Sequence, residues 1–194
     1  MEFRDLTEDD IEVRVQSVKQ NGLILLLYKN ARVDMSILDE TVGTEYWQRE
    51  HYECKGNLFC RVGIKCLLSR KNALDENRVD YYQEWVWKSD CGVESNTEAQ
   101  KGEASDSFKR ACFNWGIGRE LYTSPLIWVE VGKCNIKDTG KKDKYGNPVY
   151  TCTDRFSVEK IAIENKKIVG LSIINNSIKA DKIKDKRCFV WSAK

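Results

Sequence analysis

Apolar and polar positions along the chain fall into blocks of two different periods. Between Ala104 and Trp115 the apolar residues Phe108, Ala111, Cys112 and Trp115 follow at i+4, i+7, i+8 and i+11, the spacing of a half-buried helix. Gly116 and Gly118 then offer a stop, because glycine takes the left-handed conformation of a helix C-cap without penalty. The spacing predicts a helix over 98–122 with Lys109 and Arg110 turned away from the apolar stripe, in the last turns before the stop, where cations complement the carbonyl end. Upstream the period is two. Trp47–Cys54, Phe59–Leu68 and Asp80–Trp87 are rich in aromatic and β-branched residues, separated by the polar connectors 55–57 and 69–78, which predicts an antiparallel meander. Strand, strand, strand, helix is a small α+β unit whose helix covers one sheet face.

Outside that block, Thr7 followed by Glu8, Asp9 and Asp10 reads as an N-cap with acids in the first turn, opening a helix to Lys19 that Asn21-Gly22 ends. Leu23–Tyr28 suits a buried strand, and Ala31–Thr41 a second helix closed at Val42-Gly43, with Val33, Ile37 and Leu38 at helical spacing. Strand character returns at Leu126–Val131, a lysine-rich exposed loop follows at Asp138–Pro148, and Phe156–Ile163 with Ile168–Ile174 forms a hairpin, with Phe189–Trp191 as a last strand. The fold class is therefore α+β: an antiparallel β-β-β-α core with N-terminal helices and a C-terminal β-hairpin extension. The expected division is a core over 1–130 and an extension over 131–194.

Composition narrows the function. The 194 residues are 41% hydrophobic, enough for a real core. With Lys+Arg 32 against Asp+Glu 30 the net charge is +2, so any polyanion-binding surface is a local patch. The segment Lys179–Lys194 is one locally basic stretch. The acidic start MEFRDLTEDDIE does not read as a secretory leader and Leu23–Leu27 is too short to cross a bilayer, which makes the cytoplasm the expected compartment. The eight cysteines then read as reduced thiols.

The chain has no Gly-x-x-x-x-Gly-Lys-Ser/Thr segment and no Gly-x-Gly-x-x-Gly, and its only histidine, His51, sits in a strand without a nucleophile-elbow signature. No Cys-x-x-Cys occurs, so a closed zinc site lacks its usual spacing, and no metal or other cofactor is expected. Glu94, Glu98, Glu103 and Asp106 have the look of caps and solvated helix faces. Cationic and aromatic surface remains, the combination that holds single-stranded nucleic acid. The ordinary alternative for Lys109 and Arg110 is a solvated face with ion pairing to Asp106.

The segment Lys101-Gly102 with SDSFKRACFNWGIGRELY over 105–122 resembles the helix of the phage-encoded single-strand annealing proteins related to eukaryotic Rad fifty-two, which show SDS-x-KRA-x-x-x-WGIGR-x-LY. ARVDMSILDETVGTEYW, over 31–47, is similar to the family's arginine-bearing helix followed by Gly and Trp. The resemblance covers roughly residues 8–130. It implies a homo-oligomer, ring or filament, that binds single-stranded DNA by its backbone and anneals complementary strands without nucleotide hydrolysis. It further implies a phage or prophage protein in the bacterial cytoplasm, with a single-strand-binding protein or exonuclease as a further partner, and no covalent chemistry. Position by position, Arg32 corresponds to the family's groove arginine, and Lys109 and Arg110 to its basic pair; phosphate contact is the implied role. Lys101, Arg70 and Lys71, the last two in the second strand connector, form a second, weaker candidate track. At Phe113 the chain departs from eukaryotic relatives, which carry arginine there. Three roles compete for it: packing against a neighbouring subunit, packing under the C-terminal extension, or stacking on a base. Two other function classes remain open, a metal-dependent nuclease and a structural or adaptor oligomer.

Overall fold

The computed structural model describes residues 1–74, 77–93, 99–178 and 185–193, with the backbone alone for 99–101. The chain forms two compact units, one of residues 1–4 and 31–117, the other of 5–30 and 118–194. The segment 1–130 thus contributes to both.

In the first unit the helix α1 (Ala31–Val42) is followed by β3 (Trp47–Cys54), β4 (Asn57–Lys71), β5 (Val79–Cys91) and α2 (Ala99–Trp115). The three strands form an antiparallel sheet in the order β3-β4-β5. Strand pairing is continuous, from Cys54↔Asn57 to Trp47↔Ile64 on one side of β4 and from Phe59↔Cys91 to Lys71↔Val79 on the other. Alternation along β4 puts Cys60, Val62 and Ile64 on one face, all fully buried, and α2 lays Phe108, Ala111 and Cys112 against them, equally buried. Trp47 stacks on Phe108 at 6.2 Å and donates its indole N–H to Asp39 of α1 at 2.6 Å, tying helix, sheet and helix together. The end of α2 is a Schellman motif: Gly116 N–H reaches the Phe113 carbonyl at 3.0 Å, Ile117 N–H the Cys112 carbonyl at 3.1 Å, and Gly116 takes φ 104°. The helix therefore stops at Trp115, short of the expected Tyr122, and 119–123 is a separate 3-10 turn.

The second unit is a six-stranded antiparallel sheet in the order β11-β10-β9-β1-β2-β6, with a two-stranded hairpin beside it. Its strands are β1 (Glu12–Lys19), β2 (Gly22–Tyr28), β6 (Ile127–Glu130), β9 (Phe156–Glu164), β10 (Lys167–Asn175) and β11 (Arg187–Ser192). Leu23, Leu25, Leu27, Val129, Leu171 and Ile173 form its core. Two expectations fail in this unit. Thr7 and its acids cap only the 3-10 turn Glu8–Asp10, where the Asp10 carboxylate accepts from the Thr7 N–H at 2.8 Å, and the residues beyond it are strand rather than helix. The reason is that EVRVQSVK alternates, and pairing with the apolar β2 across the two-residue turn at 20–21 satisfies its backbone better than an isolated helix. One N-terminal α-helix is present, not two. The expected loop at 138–148 is instead the hairpin of β7 (Ile136–Lys142) and β8 (Pro148–Cys152), exposed as its lysines require, with Asp143 fixing the turn by accepting from Tyr145 and Asn147 N–H at 2.8 and 2.9 Å. No helix among the described residues is long and apolar enough to cross a membrane.

Candidate nucleic-acid interface

Lys109 and Arg110 lie on α2 beside the fully buried Phe108 and Ala111, so their backbone positions are set by the helix–sheet core. Both side chains are half-exposed. The Lys109 side chain makes no hydrogen bond or ion pair among the described residues. Arg110 pairs with Asp90 of β5 at 3.3 Å, with side chains 39% and 28% exposed. A pair that open to water contributes about 0.2–1 kcal/mol. The pair thus reaches across to Asp90 of β5, while Asp106 of α2 accepts the Val93 N–H at 3.1 Å. Neither cation stands in the last turn of α2, which carries no basic residue, so the expected complement to the helix dipole is missing there.

Arg32 is exposed in the first turn of α1, a helix that packs on α2 in the same unit. Phe113 is half-buried on α2. The side chain of Lys101 lies outside the described residues, as do Glu94, Glu98 and, of the basic C-terminal segment, 179–184 and 194. Arg70 and Lys71 belong to the end of β4 and not to a connector, because the 4–5 ladder runs on to Lys71↔Val79. Asp90, the anchor of Arg110, pairs with Cys60, and ten residues of strand separate Cys60 from Arg70, about 33 Å at 3.3 Å per residue. The structure therefore keeps Arg70 and Lys71 well away from the basic pair. Arg70 itself lies over the Tyr82 ring at 5.4 Å.

Other polar groups near α2 serve the helix–sheet junction. His51 Nε2 donates to the Ala104 carbonyl at 3.1 Å, Glu103 accepts the Leu58 N–H at 3.0 Å, and Lys88 donates to the Asn114 carbonyl at 2.8 Å while lying 4.5 Å over Trp115. Arg49 lies over Phe108 at 4.8 Å. Burial holds the Cys60 thiol up at about 11, so that it packs as a neutral apolar group. Among the described residues no group of three or more His, Cys, Asp or Glu side chains is placed to hold a metal ion.

The sheet face turned away from α2 was not singled out from the sequence. It carries Arg61 and Lys65 of β4 and Trp85 and Trp87 of β5, and the two-residue alternation that groups them is present in the chain.

A family model, that of the Rad52/22 family double-strand break repair protein, matches residues 3–139, well over half of the chain. No curated protein and no solved structure matches. The matched span holds the whole of α1, the three-stranded sheet and α2 with its basic pair. On that match, the chain belongs to the Rad52/22 family of double-strand break repair proteins, in DNA repair and recombination.

Proposed function

We infer that the protein binds single-stranded DNA through its backbone along the outward side of α2 and anneals complementary strands without nucleotide hydrolysis, as a homo-oligomer, in phage or prophage recombination in the bacterial cytoplasm. The observation that carries this reading is Lys109, half-exposed on a helix fixed by its own core, without a partner among the described residues and next to a second cation. A lysine held so is available to a phosphate oxygen, and the resulting charge-assisted contact is strong and indifferent to base sequence. In this reading Arg32, exposed in the first turn of α1 in the same unit, is a third phosphate contact. Base pairing supplies the free energy of annealing, and the protein supplies alignment, so no reaction at a covalent bond is required of it.

Salt dependence tests this reading. Each phosphate neutralised on a single strand adds about 0.7 to the slope of log affinity against log salt. Anisotropy of a labelled oligothymidylate, titrated at several salt concentrations, should show Lys109→Ala with a shallower slope and weaker binding. Arg110→Ala should behave similarly with a small loss of stability, since Asp90 loses one of its partners and keeps the Cys91 N–H. An unchanged slope in both variants would assign the pair to the fold and bring forward the adaptor-oligomer reading.

A further inference from the structure

The three-stranded sheet has one face on α2 and one face open. Register assigns each residue to a face without ambiguity, because β4 pairs with both neighbours without a register shift. Val62↔Lys88 and Cys60↔Asp90 face α2, as the contacts of Lys88 with Asn114 and of Arg110 with Asp90 require. The alternate set, Arg61↔Ser89, Gly63↔Trp87 and Lys65↔Trp85, faces away.

That open face is built around two indoles. Trp85 and Trp87 stand 6.3 Å apart with planes tilted by 34°. Trp87 fills the space over Gly63, where a Cβ would come within 2.8 Å of its ring, so the absence of a side chain at 63 seats the indole against the strand. The Arg61 guanidinium lies 4.6 Å from the centre of the same ring and is held from its other side by Glu50 at 2.6 Å. Tyr52 and Phe59 stack at 5.5 Å and 20° farther along the face. Both indoles are half-exposed, and Lys65 is cross-strand from Trp85.

Planar rings seated in advance, with a guanidinium plane and a lysine among them, match what unpaired bases and their phosphates need. A base stacks on an indole or on a guanidinium plane whatever its identity, and an ammonium cross-strand from the ring reaches the adjoining phosphate. The cores of protein interfaces share the aromatics and the arginine but are depleted in lysine, so it is Lys65 beside Trp85 that favours a nucleic acid. The geometry points to the open face of the β3-β4-β5 sheet as a second contact surface for single-stranded nucleic acid, on which bases stack against Trp85 and the Trp87–Arg61 pair. This surface lies on the side of the sheet opposite α2 and works by stacking, whereas the α2 pair works by charge. It rests on the proposed function only for the class of ligand.

The test compares a base-bearing oligothymidylate with an abasic strand of equal length and charge, binding to the full chain in its native assembly. The intact protein should prefer the base-bearing strand, and Trp85→Leu should reduce that preference by about 5- to 150-fold, the range for one stacked base, with its salt slope intact. Trp85→Phe, which restores a flat ring, should recover most of it. Lys109→Ala/Arg110→Ala should keep the preference and lose salt slope, so the two surfaces fail separately. Thermal melts and light scattering on each variant exclude loss of fold. Trp85→Leu with an unchanged preference would overturn the inference, as would a smaller assembly at unchanged preference, which would make the face a contact between copies of the chain.

Discussion

Gly92, just beyond β5, runs close against α2, and replacing it by alanine strikes the joint on which the α2 site depends. A Cβ at position 92 would lie 2.1 Å from the Glu103 carbonyl oxygen and 3.0 Å from the Ser107 nitrogen, both main-chain atoms of α2. Main chain cannot swing aside as a side-chain tip can, so helix and strand must separate by about 1 Å, a displacement that overpacked cores tolerate at about 1–3 kcal/mol. The same separation stretches two bonds that cross the joint, Leu58 N–H to Glu103 at 3.0 Å and Val93 N–H to Asp106 at 3.1 Å. At about 1 kcal/mol each these bring the total to about 3–5 kcal/mol. For a chain of this length about 2–4 °C is lost per kcal/mol, so Gly92→Ala should melt about 6–20 °C below the parent. Tryptophan emission reports it well, since Trp47, Trp85, Trp87 and Trp115 all stand in this unit. Gly132→Ala is the control: no atom lies within 4 Å of its would-be Cβ, and it should melt within about 2 °C of the parent. Should Gly92→Ala melt with the parent, the close approach and the helix placement drawn from it would be refuted.

Four further outcomes follow from the second unit and the thiols. Asp154 is partly desolvated, which pushes its pKa up, but hydrogen bonds from Asn135 and Asn175 at 2.8–2.9 Å outweigh this and hold it below the usual carboxylate range. A depressed folded pKa stabilises the fold above the ordinary value of 3.8 and ceases to do so as pH falls through the folded one, so Asp154→Asn should flatten the acid side of a melting-temperature profile below pH 4. Burial raises Cys60 and Cys188 from 9.0 to about 11 and Cys134 to about 12; the fold keeps these protons while the unfolded chain loses them, so stability should hold below pH 9 and fall above it. Iodoacetamide with mass readout at pH 8 should label the exposed Cys54 long before those three, and equal rates would contradict their burial. Glu120, 1% exposed, accepts the Leu6 N–H at 2.8 Å, so Glu120→Ala should cost about 1–3 kcal/mol in urea denaturation by orphaning that donor.

What the chain discloses by itself is what is local and periodic. The stripe through Phe108 and Cys112 and the alternation through Cys60, Val62 and Ile64 are short-range patterns, and both find their faces in the structure. The first strand was hidden because Thr7 and three acids form a helix-start signal that caps one 3-10 turn and nothing more. That β1 lies between β2 and β9 depends on residues more than a hundred positions apart, meeting at Glu12↔Ser157, and such pairing leaves no local trace. The basic pair was legible as a motif, but its carboxylate neighbour was not, since Asp90 reaches Arg110 through strand register and not through helical spacing. The aromatic open face was written in the alternation of Arg61, Gly63 and Lys65 against Trp85 and Trp87, and only pairing brings the two halves together.

The central claim is that cations on α2 align single strands for pairing. The most direct measurement is annealing of two complementary labelled oligonucleotides by energy transfer, without ATP or magnesium, with the intact chain and with Lys109→Ala/Arg110→Ala at matched oligomer mass. The account predicts fast annealing by the intact chain that the double substitution abolishes. Annealing at the same rate by both, or at the protein-free rate by the intact chain, would contradict it.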